Sequence, residues 1–146
     1  MRKMARKFFK WCLIVCILLI SPLIYVEVEA FLTTNGAFPT INAFSAKSKT
    51  ALAVILIVYN LISAVSTATI TVLPSGYLAP NQTKIIASLF VLLNESILIY
   101  AFFQQPKTIA FTTIVMVGQV LAFVLTAFMF AEFGSRIAKK RTNTDS

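Results

Sequence analysis

Four apolar runs dominate this sequence, and each is close to the length that a helix needs to cross a bilayer. They cover about residues 8–26, 51–73, 85–105 and 108–130. A helix rises about 1.5 Å per residue, so roughly 20 apolar residues span the hydrocarbon core. Backbone polar groups find no water there and must be bonded internally. We therefore predict an all-α integral membrane bundle of four transmembrane helices, forming a single domain over residues 1–146.

The composition agrees with a membrane protein and argues against a nucleic-acid-binding protein. The chain is 58% hydrophobic and 12% charged, whereas roughly a quarter of a typical soluble domain is charged. The net charge is +8, but the basic residues concentrate at the two ends, beside apolar runs. Basic residues at such positions set orientation and meet lipid headgroups. We expect the lipid bilayer as a partner, and no nucleic acid.

The distribution of basic residues predicts the topology. The segments before, between and after the apolar runs hold five, two, one, one and four Lys or Arg, with the first segment counted through Lys10. Strongly basic segments stay in the cytoplasm. Both termini are therefore predicted to be cytoplasmic, in a multi-pass protein of the cytoplasmic (inner) membrane. The connections would be an extracytoplasmic loop at 27–50, a short cytoplasmic loop at 74–84 and a basic cytoplasmic tail at 134–146, with residues 142–146 disordered.

The first run has a second interpretation. A basic start, a short apolar stretch and Val28-Glu29-Ala30 also fit a secretory signal with its cleavage site. The alternatives are a retained helix and a removed segment over residues 1–30, and the remaining runs keep the same orientation in both.

Glu95 is the midpoint of the third run, and its position predicts a polar cluster. A carboxylate at that depth costs on the order of 3 kcal/mol on insertion scales. A neutral carboxyl both donates and accepts hydrogen bonds, so it would bond to groups on neighbouring helices. Asn60 and Gln119 fall near the middle of the second and fourth runs. We predict that Glu95, Asn60 and Gln119 meet near the bilayer midplane, whereas Glu27 and Glu29 are solvated.

The loop at 27–50 is too apolar for a free linker, because it contains Phe31, Phe38 and Phe44. One interpretation is a segment that lies on the bilayer surface or caps the bundle. The other is a docking surface for a partner. These three residues are the predicted interaction loop.

Chemistry typical of enzymes is missing from the sequence. Histidine is absent, which removes the commonest metal ligand and general base. Cys12 and Cys16 lie inside the first run, and no paired carboxylates or glycine-rich nucleotide loop occur. We therefore predict no enzymatic activity, no metal and no cofactor.

Three functions remain compatible with these features. The first is an accessory, interaction or immunity-type protein that contacts another membrane protein or a second copy of itself. The second is an oligomeric channel or a proton-coupled transporter that uses Glu95, because acids within the membrane often mark ion paths. The third is a holin-like membrane protein, suggested by the small size and the basic tail.

Overall fold

The protein is an antiparallel bundle of helices, as its computed structural model describes it over residues 2–32, 34–35, 49–104 and 109–144. The prediction of an all-α bundle is confirmed. The helices are α1 (Arg2–Leu32), α2 (Lys49–Leu78), α3 (Thr83–Gln104) and α4 (Ile109–Thr144). Gly118 lies near Ile57 and Gly76 near Ala131, so α2 and α4 run in the same direction. Tyr25, near the end of α1, bonds to Asn60 and Gln119 in the first halves of these two helices, so α1 runs in the opposite direction. The start of α1 and the end of α4 therefore lie at the same end of the bundle, here called the termini end.

Three of these helices contain stretches long and apolar enough to cross a membrane. The stretches are Met4–Leu32, Ala53–Leu78 and Thr113–Asn143. They correspond to the first, second and fourth predicted spans. The third predicted span coincides with α3, which has 22 residues and is about 33 Å long. Its insertion and the side on which the termini lie stay predictions.

Two helices extend further than the sequence suggested. α2 continues through Pro74 to Leu78, and the expected loop at 74–84 shrinks to a turn at residues 79–82. α4 continues to Thr144, so the expectation of disorder in residues 142–144 is wrong. Both extensions belong to the same helix pair, and the packing of that pair explains them.

Glycines let the backbones of α2 and α4 approach closely near the termini end. Gly76 lies against the backbone of Ala131, and Gly134 lies against the carbonyl of Leu73. A Cβ atom at either position would overlap backbone atoms, so only glycine permits this approach. Each helix thereby gives the other a surface to pack on beyond the predicted end of its span.

Polar contacts fasten the same region. Ser135 Oγ donates to the carbonyl of Pro80 at 2.8 Å, and Arg141 Nη1 donates to the Tyr77 hydroxyl at 3.1 Å. Since these bonds join α4 to α2 and to the following turn, the basic end of the chain is a packed helix over its described residues.

The core is narrow and rich in small and aromatic side chains. Among the described residues, Phe90 and Phe123 are the largest that are completely buried, and alanines fill much of the remaining interface. The outer surface is apolar, with exposed side chains such as Leu23, Leu92 and Met129. An apolar exterior around a polar-containing interior suits a bundle surrounded by lipid.

Candidate functional site

The Tyr25 hydroxyl joins three helices inside the bundle. It accepts a hydrogen bond from Gln119 Nε2 on α4 at 2.8 Å. Its own proton faces two acceptors, Glu29 Oε1 at 3.0 Å and Asn60 Oδ1 on α2 at 3.3 Å. A phenol has one proton to donate, so these two oxygens share or exchange it. We call Tyr25, Glu29, Asn60 and Gln119 the Tyr25 cluster.

Aromatic packing fixes the position of this hydroxyl. The Tyr25 ring lies 5.0 Å from the Phe123 ring with an interplanar angle of 58°, and Phe123 lies 5.7 Å from Phe90. Tilted rings at these distances attract each other beyond their area burial. The stack connects α1, α4 and α3, so the phenol is held from its apolar side as well as its polar side.

Glu95 is buried beside the Tyr25 cluster and is not hydrogen-bonded to it. Its side chain is 5% exposed, and its Oε1 atom has no hydrogen-bond partner in the part of the chain that the structure describes. It lies within electrostatic range of Tyr25. Of the three residues predicted to meet, the structure brings Asn60 and Gln119 to one shared partner and leaves Glu95 next to them.

A second polar link connects α3 to α1 one helical turn from Tyr25. Pro22 has no N–H, so the carbonyl of Leu18 loses its usual partner in the helix. Ser21 Oγ donates to that carbonyl at 2.7 Å, and Asn94 Nδ2 donates to Ser21 Oγ at 2.9 Å. Asn94 is 2% exposed, and its Oδ1 atom is buried without a hydrogen-bond partner. Ser21 thus satisfies the carbonyl that Pro22 leaves without a partner in α1, and through Asn94 it also joins α1 to α3.

The buried hydroxyl groups of α2 mostly bond to their own helix. Thr67, Thr71 and Ser75 each donate to the carbonyl four residues earlier, at 2.7–2.8 Å. Such bonds satisfy the hydroxyl locally and leave little to offer a solute. Ser63 Oγ is the exception, because it is buried without a partner. This face of α2 is mainly a packing surface.

Sequence reasoning missed four of the residues that build these links, namely Tyr25, Glu29, Ser21 and Asn94. Tyr25 and Glu29 are four residues apart, the spacing at which side chains on one helix meet, and that spacing was a usable signal. Glu29 was expected to be solvated but is partly buried and bonded to Tyr25. Ser21 directly precedes Pro22, and the missing amide of the proline was the corresponding signal.

The predicted interaction loop is described only at its first residue. Phe31 lies in the last turn of α1 and is 66% exposed. Phe38 and Phe44 lie outside the described residues.

The described part of the chain contains no group of three or more Cys, Asp or Glu side chains arranged to hold a metal. Cys12 and Cys16 are exposed free thiols on α1. The predicted lack of a cofactor and of enzymatic activity stays a prediction.

The fold and the composition together define a small multi-pass membrane protein. Comparison with protein-family models, curated proteins and solved structures finds no match to this chain.

Proposed function

We propose that this chain is a non-enzymatic membrane protein that acts by contact with another membrane protein, as an accessory or immunity-type subunit. The supporting observation is that most polar groups inside the bundle are bonded to one another or to their own helices. Tyr25, Asn60 and Gln119 bond across helices, and Thr67 and Thr71 bond within α2. A path for ions or solutes needs polar groups that face water, whereas these groups are enclosed.

The partner would be met at the outer surface of the bundle, because the interior is occupied. Phe31 is the described part of the predicted interaction loop and presents an aromatic side chain at the end of α1. Aromatic residues are enriched at the centres of protein interfaces. Contact there is compatible with an otherwise lipid-facing exterior.

Photo-crosslinking in the native membrane tests the contact. A photoreactive phenylalanine analogue at Phe31 is expected to give one discrete protein adduct, which mass spectrometry then identifies. Leu92 is the matched control, because it is 65% exposed on the outer side of α3 and is expected to meet lipid. The proposal fails if Phe31 yields no protein adduct, or if both positions yield the same adducts.

Transport is the second candidate, and the unpartnered Oε1 of Glu95 favours it. A buried acid without a partner is a group that a proton or cation could use. In this case purified protein in liposomes would dissipate an imposed proton gradient, and Glu95→Gln would stop the flux.

For the contact function we expect a different result with Glu95→Gln. Wild type and Glu95→Gln should both leave the proton gradient as stable as in empty liposomes, measured with an internal pH dye. The variant should also unfold within about 1 kcal/mol of wild type, since Oε1 of the replaced carboxyl has no hydrogen-bond partner among the described residues and polar contacts in membranes average about 0.6 kcal/mol. Flux by wild type that the variant lacks would instead establish transport.

A further inference from the structure

An open groove runs along the outer face of α4 near the termini end. Its volume is about 510 Å³, and it is lined by Met129, Phe130, Glu132, Phe133 and Arg136. The part nearer the centre of the bundle is apolar, and the part nearer the termini end carries an ion pair. We call this feature the α4 groove.

The ion pair leaves most of the Arg136 guanidinium available. Its Nε atom lies 3.5 Å from Glu132 Oε1, and both side chains are largely exposed. A guanidinium has five N–H donors, so the contact with Glu132 uses only one edge. The terminal nitrogens can contact a second anion in bidentate fashion, as arginine does with phosphate.

Charge and polarity change along one stripe of the helix. Met129, Phe133, Arg136 and Lys140 are spaced at intervals of four, three and four residues, so they share one face. All four side chains are exposed. The stripe is thus apolar for its first half and basic for its second, and Met129 and Arg136 lie about 10 Å apart along the axis. This order matches a phospholipid, whose acyl chains lie below a charged headgroup.

We propose that the α4 groove binds one anionic phospholipid from the leaflet at the termini end. An acyl chain packs on Met129, Phe130 and Phe133, and the phosphate contacts Arg136 and Lys140. The occupant is anionic because the basic end of α4 complements it. It is a lipid because the lining on the central side of Arg136 is apolar except for Glu132, which is paired with Arg136. This site does not depend on the proposed contact function.

The helix that carries the stripe is packed on α2 at several points, which distinguishes a site from a diffuse attraction to the surface. Ser135 and Arg141 bond to the turn after α2 and to α2 itself, and Gly134 packs against the α2 backbone. A preorganised helix face loses little freedom on binding. Individual basic residues should then differ in importance, whereas in a mobile basic tail each contributes similarly.

Native mass spectrometry of the full chain tests the site. Protein in detergent is titrated with phosphatidylglycerol or phosphatidylcholine and is then released from the detergent in the mass spectrometer. The fraction of protein that carries one bound lipid gives the affinity of the first lipid. We expect wild type to bind phosphatidylglycerol more tightly than phosphatidylcholine. Arg136→Gln/Lys140→Gln should weaken the phosphatidylglycerol binding by about tenfold or more, as expected for two basic groups at a membrane surface.

The matched control is Arg6→Gln/Lys7→Gln, which removes the same charge from exposed positions on α1. It should leave the first lipid's affinity within about twofold of wild type, because neither Arg6 nor Lys7 lines the α4 groove. Glu132→Gln removes a neighbouring anion and should tighten binding. Equal losses in both double variants would mean diffuse attraction and would overturn the proposal.

Two further experiments identify the molecule that occupies the α4 groove. Met129→Ser/Phe133→Ser should weaken phosphatidylglycerol binding, since it removes the surface for the acyl chain. Inorganic phosphate at millimolar concentration should not displace the lipid. Displacement by phosphate, or unchanged binding in the serine variant, would show a site for a free anion and would reject the phospholipid. Circular dichroism confirms folding of each variant.

Discussion

Gly134→Ala is expected to destabilise the bundle, and to do so more than the same change at Gly118. The new Cβ would overlap the carbonyl oxygen of Leu73 and lie 2.9 Å from the amide nitrogen of Tyr77. Because both are backbone atoms, α2 and α4 must move apart. Overpacking of this kind costs about 1–3 kcal/mol, against a gain of up to about 1 kcal/mol from the helix propensity of alanine. Gly76→Ala should behave alike, because its Cβ meets the backbone of Ala131.

Gly118→Ala is the control for this prediction. Its Cβ would lie 2.9 Å from Cγ1 of Ile57, which is a side-chain atom, so the two helix backbones need not separate as far as at Gly134. The measurement is unfolding by sodium dodecyl sulfate in mixed micelles, followed by far-ultraviolet circular dichroism. Equal loss in Gly118→Ala and Gly134→Ala, or a gain in Gly134→Ala, would show that the two helix backbones are not in contact at Gly134.

Tyr25→Phe should produce the second large loss of stability. The ring remains and keeps its packing on Phe123, but Asn60, Gln119 and Glu29 lose a shared partner. Hydrogen bonds between membrane helices contribute about 0.6 kcal/mol on average and up to about 1.7. The hydroxyl accepts one bond and donates one proton, so two hydrogen bonds are lost at any one time. We expect a loss of about 1–2 kcal/mol in the same unfolding assay.

Tyr59→Phe provides the comparison, because Tyr59 lies on α2 one residue before Asn60 and no described residue hydrogen-bonds to its hydroxyl. It should unfold like wild type. A double-mutant cycle of Tyr25→Phe with Gln119→Ala should show strong non-additivity, since both changes break the same bond. If Tyr25→Phe and Tyr59→Phe unfold alike, the Tyr25 cluster does not stabilise the bundle.

The architecture could be predicted from the sequence because the bilayer leaves few alternatives for long apolar runs. Helix type and approximate span positions follow directly from length and hydropathy. The helix ends could not be predicted in the same way. Pro74 and Gly76 are usually breakers, yet here Gly76 supports the contact between α2 and α4 that keeps α2 helical to Leu78.

For the candidate site, the sequence predicted the level in the membrane at which the polar residues lie, but not their hydrogen-bond partners. The central positions of Asn60, Gln119 and Glu95 within their runs placed them at one level. Which groups meet depends on how each helix is rotated about its axis, and α4 packs most extensively on α2 rather than on α3. Tyr25 therefore connects Asn60 with Gln119, a role that its place in an apolar run did not indicate.

The contact of Gly76 and Gly134 with opposing backbone has a mechanical consequence. Backbone meets backbone there, so the separation of α2 and α4 is fixed at that level. Further along the same pair, Gly118 meets the side chain of Ile57 and not its backbone. The two helices therefore have a fixed point of contact near the termini end. Any separation of α2 from α4 would pivot about this contact, and the largest displacement would occur at the opposite end of the bundle, beyond Tyr25.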